Sequence, residues 1–121
     1  MKLFIDDILD PSDVGLKNDE WIIVRNYNDA IEKIMWSRPQ EISFDHDLAD
    51  EHYKAVITHL DEDQEYKKKE KTGYDCAMWL VEYCINHNKS LPICFVHSMN
   101  PIGKKRIEMA LGDFNRLKML L

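Results

Sequence analysis

Ionisable residues gather at three points where an apolar run stops: Asp6-Asp7 after Leu3-Phe4-Ile5, Asp45-His46-Asp47 after Ile42-Ser43-Phe44, and His97-Ser98-Met99-Asn100 after Ile93-Cys94-Phe95-Val96. Asp6, Asp7 and Asp45 are hard oxygen ligands of the kind that suits Mg2+ or Mn2+, with water and substrate phosphate completing an octahedron. Converging carboxylates repel one another, so neutral pH holds them together only with a cation or a shared proton. His46 and His97 with Asp47 offer a softer, zinc-type alternative, though without a diagnostic spacing. Taken singly, each cluster also reads as solvated turn residues. The repetition of one pattern at three strand ends is what favours chemistry.

The remaining candidates extend the same rim. His97 and His46 bring imidazoles that titrate near neutrality and can act as general acid or base, and each also reads as a satisfied structural histidine. Ser98 has three open roles: a hydrogen bond to a phosphoryl oxygen, a nucleophile paired with His97, or a loop tie. A third triad member is missing, which places serine hydrolysis last among them. Asn100-Pro101 pairs a capping side chain with a proline at the first helical position, so a helix starts there and its first N–H groups form an anion site. Lys104, Lys105 and Arg106 follow within its first turn and a half, where positive charge opposes the helix dipole unless an anion is bound. Solvated lysines are the plain alternative.

The elements that must position these groups are legible from periodicity. Leu3-Phe4-Ile5, Trp21-Ile22-Ile23-Val24, Ile42-Ser43-Phe44 and Ile93-Cys94-Phe95-Val96 read as strands buried on both faces. Between the first two, Asp10-Pro11-Ser12-Asp13 and Gly15 are turn signals that disfavour a regular helix. Asn26 or Asn28 caps a helix through Trp36 with Ala30, Ile31, Ile34 and Met35 on one face, ended by Pro39. Thr72-Gly73-Tyr74-Asp75 opens a largely buried helix to about His87. Ile107, Ala110, Leu111, Phe114, Leu117 and Leu121 mark the stripe of a last helix, with Gly112 as its weak point. Residues at about 49–71 form a charged insertion, including Lys67-Lys68-Lys69-Glu70-Lys71. It reads as a surface excursion by default, with a lid over the acidic rim as the alternative. Strands alternating with helices predict a single small three-layer α/β domain over 1–121, with a four-stranded, mainly parallel sheet. Ligands of such sheets lie at the carboxyl ends of the strands.

Composition narrows the function further. A chain of 121 residues supports one core, and 45% hydrophobic with 31% charged residues is that of a soluble globular protein. A net charge of -6 argues against general nucleic-acid binding, so an acidic protein handling phosphate must recruit a metal or a local basic patch. No long apolar segment precedes the first strand, and a cytoplasmic protein without a membrane anchor is expected. Cys76, Cys84 and Cys94 include no Cys-x-x-Cys pair and read as small reduced core residues.

Ile5-Asp6-Asp7, Phe44-Asp45-His46-Asp47-Leu48, Thr72-Gly73-Tyr74-Asp75 and His97-Ser98-x-Asn100-Pro101-x-Gly103 occur in that order. Together they resemble the cyclic-phosphate-processing receiver domains, relatives of two-component response-regulator receivers found in phage and bacterial conflict settings. The resemblance implies a receiver-like (flavodoxin-like) fold. It matches Asp6 and Asp7 to the receiver's metal-binding acidic pair, Asp45 to its phosphoacceptor position and Ser98 to its hydroxyl residue. Lys104 or Lys105 would substitute for the phosphate-binding lysine that precedes a fifth strand in ordinary receivers. Where the family carries an arginine after the acidic pair, Ile8, Leu9, Asp10 and Pro11 stand here. The expectation is a metal-dependent phosphoesterase acting on a cyclic phosphate or cyclic nucleotide. Asp45, His46, His97 and Ser98 are its catalytic candidates, and Asp47, Thr72, Asn100, Lys104 and Lys105 its substrate contacts. The alternative is a non-catalytic receiver-like module that sequesters a phosphorylated ligand or binds a partner protein.

Overall fold

A computed structural model of the chain describes residues 1–45 and 71–119. His46, Asp47 and all but the end of the charged insertion lie outside the described residues.

Four strands of four residues each form one parallel sheet: β1 (Lys2–Ile5), β2 (Trp21–Val24), β3 (Glu41–Phe44) and β4 (Ile93–Val96), in the order β2-β1-β3-β4. The register aligns Ile5 with Val24 and with Phe44, and Phe44 with Val96. Because side chains alternate, one face of this ladder carries Leu3, Ile5, Ile42 and Phe44. Against it pack α1 (Tyr27–Ser37), α2 (Gly73–Asn86), α3 (Pro101–Gly112) and α4 (Phe114–Met119). The resulting core joins those four strand residues to Ala30, Ile34, Leu80, Ile107 and Phe114, all buried. Each large side chain buried there stabilises the fold by about 1.5–3 kcal/mol.

Local sequence sets the helix starts. Asn26 Oδ1 accepts the Asp29 N–H at 2.8 Å and begins α1. The helix ends where Arg38 turns left-handed at φ 48° and Pro39 forbids a further turn. Thr72 and Asp75 form a reciprocal capping box at the start of α2. Of the stripe predicted for α1, Ala30 and Ile34 are buried, whereas Met35 lies at its margin and is exposed. The last predicted helix is broken after Gly112, a residue of low helix propensity, into α3 and α4.

The opposite face of the sheet carries Phe4, Trp21, Ser43 and Phe95. Among the described residues, the crossover from β1 to β2 is made of two 3-10 turns, Pro11–Val14 and Asn18–Glu20, as the turn-rich sequence predicts. Gly15 closes the first of them at φ 85°, a conformation that strains any residue with a Cβ. No described helix is long and apolar enough to cross a membrane.

Candidate functional site

The ladder runs one residue beyond each strand. Asp6 N donates to Val24 O at 3.1 Å, Asp45 N to Ile5 O at 2.9 Å, and His97 N to Phe44 O at 2.9 Å. Asp6, Asp45 and His97 therefore stand side by side on three adjacent strands. They share the face of Phe4 and Ser43, opposite the helices. One ligand atom from each of the three lies within 4.8 Å of the others. An ion bonded at about 2.1 Å to each would hold them roughly 3–4.2 Å apart, so the set fits a cation with only small inward movement.

Asp6 is the pivot. Only 1% exposed, its Oδ1 accepts the Ile8 and Leu9 N–H groups at 2.9 and 2.8 Å, which folds the chain back immediately after β1. Its Oδ2 lies 3.0 Å from His97 Nε2. Burial pushes the Asp6 pKa up, but the His97 hydrogen bond, the two backbone donors and the charge of His97 outweigh it, and the net direction is down. Asp6 is thus a carboxylate at neutral pH, and an acceptor. Arg25, from the end of β2, laces the same loop: Nη1 donates to Leu9 O at 2.7 Å and Nη2 pairs with Asp10 Oδ1 at 2.6 Å.

His97 is held on three sides. Its ring stacks on Phe4 with centroids 4.3 Å apart and planes 8° from parallel. Nε2 faces Asp6, and Nδ1 lies 2.6 Å from Ser43 Oγ. Ser43, 1% exposed, was absent from the sequence-derived site. Its signal was a lone hydroxyl in a buried strand, two residues before Asp45 and hence on the same face. A cavity of about 280 Å³ lies along this face between Trp21 and Phe95 and ends at Ser43 and His97.

The other expected residues fall nearby or elsewhere. Asp7 is half-buried in the bend after Asp6 and is not one of the three grouped ligands. Ser98 Oγ accepts the Asn100 N–H at 3.1 Å, the loop-tie role among its options. Thr72 spends its hydroxyl in the α2 cap, donating to Asp75 Oδ2 at 3.1 Å and accepting from Asp75 N at 3.2 Å. Asn100 Oδ1 accepts from both Ile102 N and Gly103 N at 3.1 Å, while Lys104 N donates to Asn100 O at 2.8 Å. The N–H groups that an anion would use at the start of α3 are therefore already bonded. Lys104 and Lys105 are exposed there, and Arg106 stacks over Tyr74 at 4.2 Å.

A family model of the cyclic-phosphate processing receiver domain matches residues 1–113. The chain belongs to this family. No curated protein and no solved structure matches the chain. In this receiver domain the acidic pair after β1 is split in placement, with Asp6 buried against His97 and Asp7 half-buried in the bend. The family's arginine after the acidic pair has no counterpart in Ile8-Leu9-Asp10-Pro11, yet Arg25 reaches that loop from the neighbouring strand.

Proposed function

We propose that this receiver domain is a divalent-metal-dependent phosphoesterase acting on a cyclic phosphate or a cyclic nucleotide. The observation that carries the reading is the meeting of Asp6, Asp45 and His97 at the ends of three adjacent parallel strands. Asp6 Oδ2, an Asp45 oxygen and a His97 nitrogen would hold the ion, which would supply Lewis-acid polarisation of a phosphoryl oxygen. Two carboxylates with one imidazole suit Mn2+ better than Mg2+, whose preference is for oxygen alone. The residues themselves do the rest. Phe4 and Ser43 fix the plane of the His97 ring, and the His97 hydrogen bond together with the two backbone donors keeps Asp6 charged. Ser98 at the head of the α3 loop and the exposed Lys104 and Lys105 are the groups for anion recognition. Incubation with Mn2+ and a panel of cyclic mono- and dinucleotides tests the reading: turnover of one member is expected. Neither hydrolysis nor binding of any of them would end it.

A second reading has its own support. The Asp6–His97 pair at 3.0 Å is already satisfied, and the amides at the start of α3 are capped. The satisfied pair suits a module that turns nothing over, and with the amides capped the exposed Lys104 and Lys105 would be what meets a phosphorylated ligand or a partner. Calorimetry separates the two: stoichiometric binding, with unchanged nucleotide recovered after denaturation, selects the binding module.

A further inference from the structure

We propose that Ser43 is the positioning residue of His97, its hydroxyl serving as hydrogen-bond donor to the free imidazole and as acceptor when the imidazole becomes a ligand. The inference rests on the metal reading above for its second half only. The first half follows from which atoms can donate. Asp6 is a carboxylate whose Oδ1 already takes two backbone N–H groups, and its Oδ2 faces His97 Nε2 at 3.0 Å. A carboxylate only accepts, so in neutral His97 the proton is on Nε2. Nδ1 then carries the lone pair. Ser43 Oγ, 2.6 Å away, must donate to it.

Ligation reverses the arrangement. When His97 offers its Nε2 lone pair to a cation beside Asp6 and Asp45, the one ring proton moves to Nδ1. No proton is gained or lost by the ring. Nδ1–H is then a buried donor 2.6 Å from Ser43 Oγ, and the hydroxyl accepts by rotating about its own C–O bond. A metal-bound imidazole ordinarily gives its second N–H to such a partner, which sets ring orientation and ligand strength. Ser43 suits this role because a hydroxyl can be donor or acceptor without moving its oxygen. It borders the cavity on this face, but with 1% exposure and its oxygen held by the imidazole it is a positioning residue and not a nucleophile.

The test is long-range 1H–15N correlation of the His97 ring, at a pH where its own 15N shifts show one bare and one protonated nitrogen, without and with Zn2+ as a diamagnetic probe. The Nε2–H form is expected without the ion and the Nδ1–H form with it. In Ser43→Ala, Zn2+ affinity by calorimetry should fall about tenfold or more, the loss seen when such partners are removed. Ser43→Thr, which keeps the hydroxyl, should restore most of it. An Nδ1–H ring in the ion-free wild type overturns the assignment of donor and acceptor. Zn2+ bound with the proton still on Nε2 overturns the exchange while leaving the metal reading standing. No Zn2+ uptake by wild type overturns the metal reading and the exchange together, and the ion-free spectrum still decides the Ser43 assignment.

Discussion

Replacing Asp6 by asparagine keeps the shape of the side chain and removes its charge. The carbonyl oxygen of the amide can still accept from Ile8 N and Leu9 N, but its NH2 can donate to His97 Nε2 only once the ring proton has moved to Nδ1 and Ser43 has turned to accept it. A charge-assisted hydrogen bond becomes at best a neutral one, so Asp6→Asn should cost about 1–2 kcal/mol. Asp6→Ala loses that bond outright, worth about 1.5–3 kcal/mol, and leaves two part-buried backbone donors to water, so at about 1 kcal/mol for each of these the cost rises to on the order of 4 kcal/mol. That is a large share of the 5–15 kcal/mol typical of a domain. The pH dependence follows from the lowered pKa of Asp6. Its folded value lies below 3.8, so its contribution is fully present above about that pH and is lost as pH falls through the folded value. Urea unfolding of wild type and Asp6→Asn between about pH 5 and pH 2 checks both points. The gap should hold down to about pH 4 and close below it, as the protonated wild-type carboxyl comes to resemble the amide. Equal stability at pH 5, or a gap that does not narrow at all as pH falls from about 4 to 2, would refute the reasoning.

Thr72→Ala should remove about 1 kcal/mol of stability by breaking the α2 capping box and leave Mn2+ affinity unchanged; a loss of nucleotide affinity in calorimetry would instead restore its expected role as a substrate contact. Burial pushes the Cys76 and Cys94 thiols up to about 12 and raises Cys84 as well. Thiol-reactive probes at about pH 8 should therefore label the native protein slowly and all three cysteines rapidly in urea, as read by intact mass. Lys104→Ala and Lys105→Ala should be neutral or stabilise by roughly 0.3–1 kcal/mol, since each removes positive charge from the start of α3. The same changes should weaken nucleotide binding if either lysine meets phosphate.

Whatever was determined within a few neighbouring residues was legible. The four apolar runs give the four strands, Asn26, Thr72 and Asn100 each begin the helix that their type predicts, and Gly112 marks the break between α3 and α4. The irregular crossover after β1 could be read from Pro11 and Gly15 for the same reason. Side-chain alternation even puts Ser43 and Asp45 on one face. What could not be read is which distant residue stands opposite which. Placing His97 rather than Asp7 beside Asp6 and Asp45 requires the pairing of β1 with β3 and of β3 with β4, and nothing local sets that register. The amide donors expected to be open at the start of α3 are taken, for a different reason. The feature that predicts the helix start, the Asn100 side chain, is also what consumes its amides.

The alignment of Asp6 and His97 spans 91 residues of chain. The first of these groups leaves the ribosome well before the other, and they meet only after β4 has docked beside β3. Closing so long a loop is slow, and no shorter intermediate brings the imidazole to the carboxylates. A ligand gripped by all three would thus recognise the finished sheet and none of its precursors. Its presence during refolding should leave the rate of folding nearly untouched and act on the reverse step, lengthening the life of the native state.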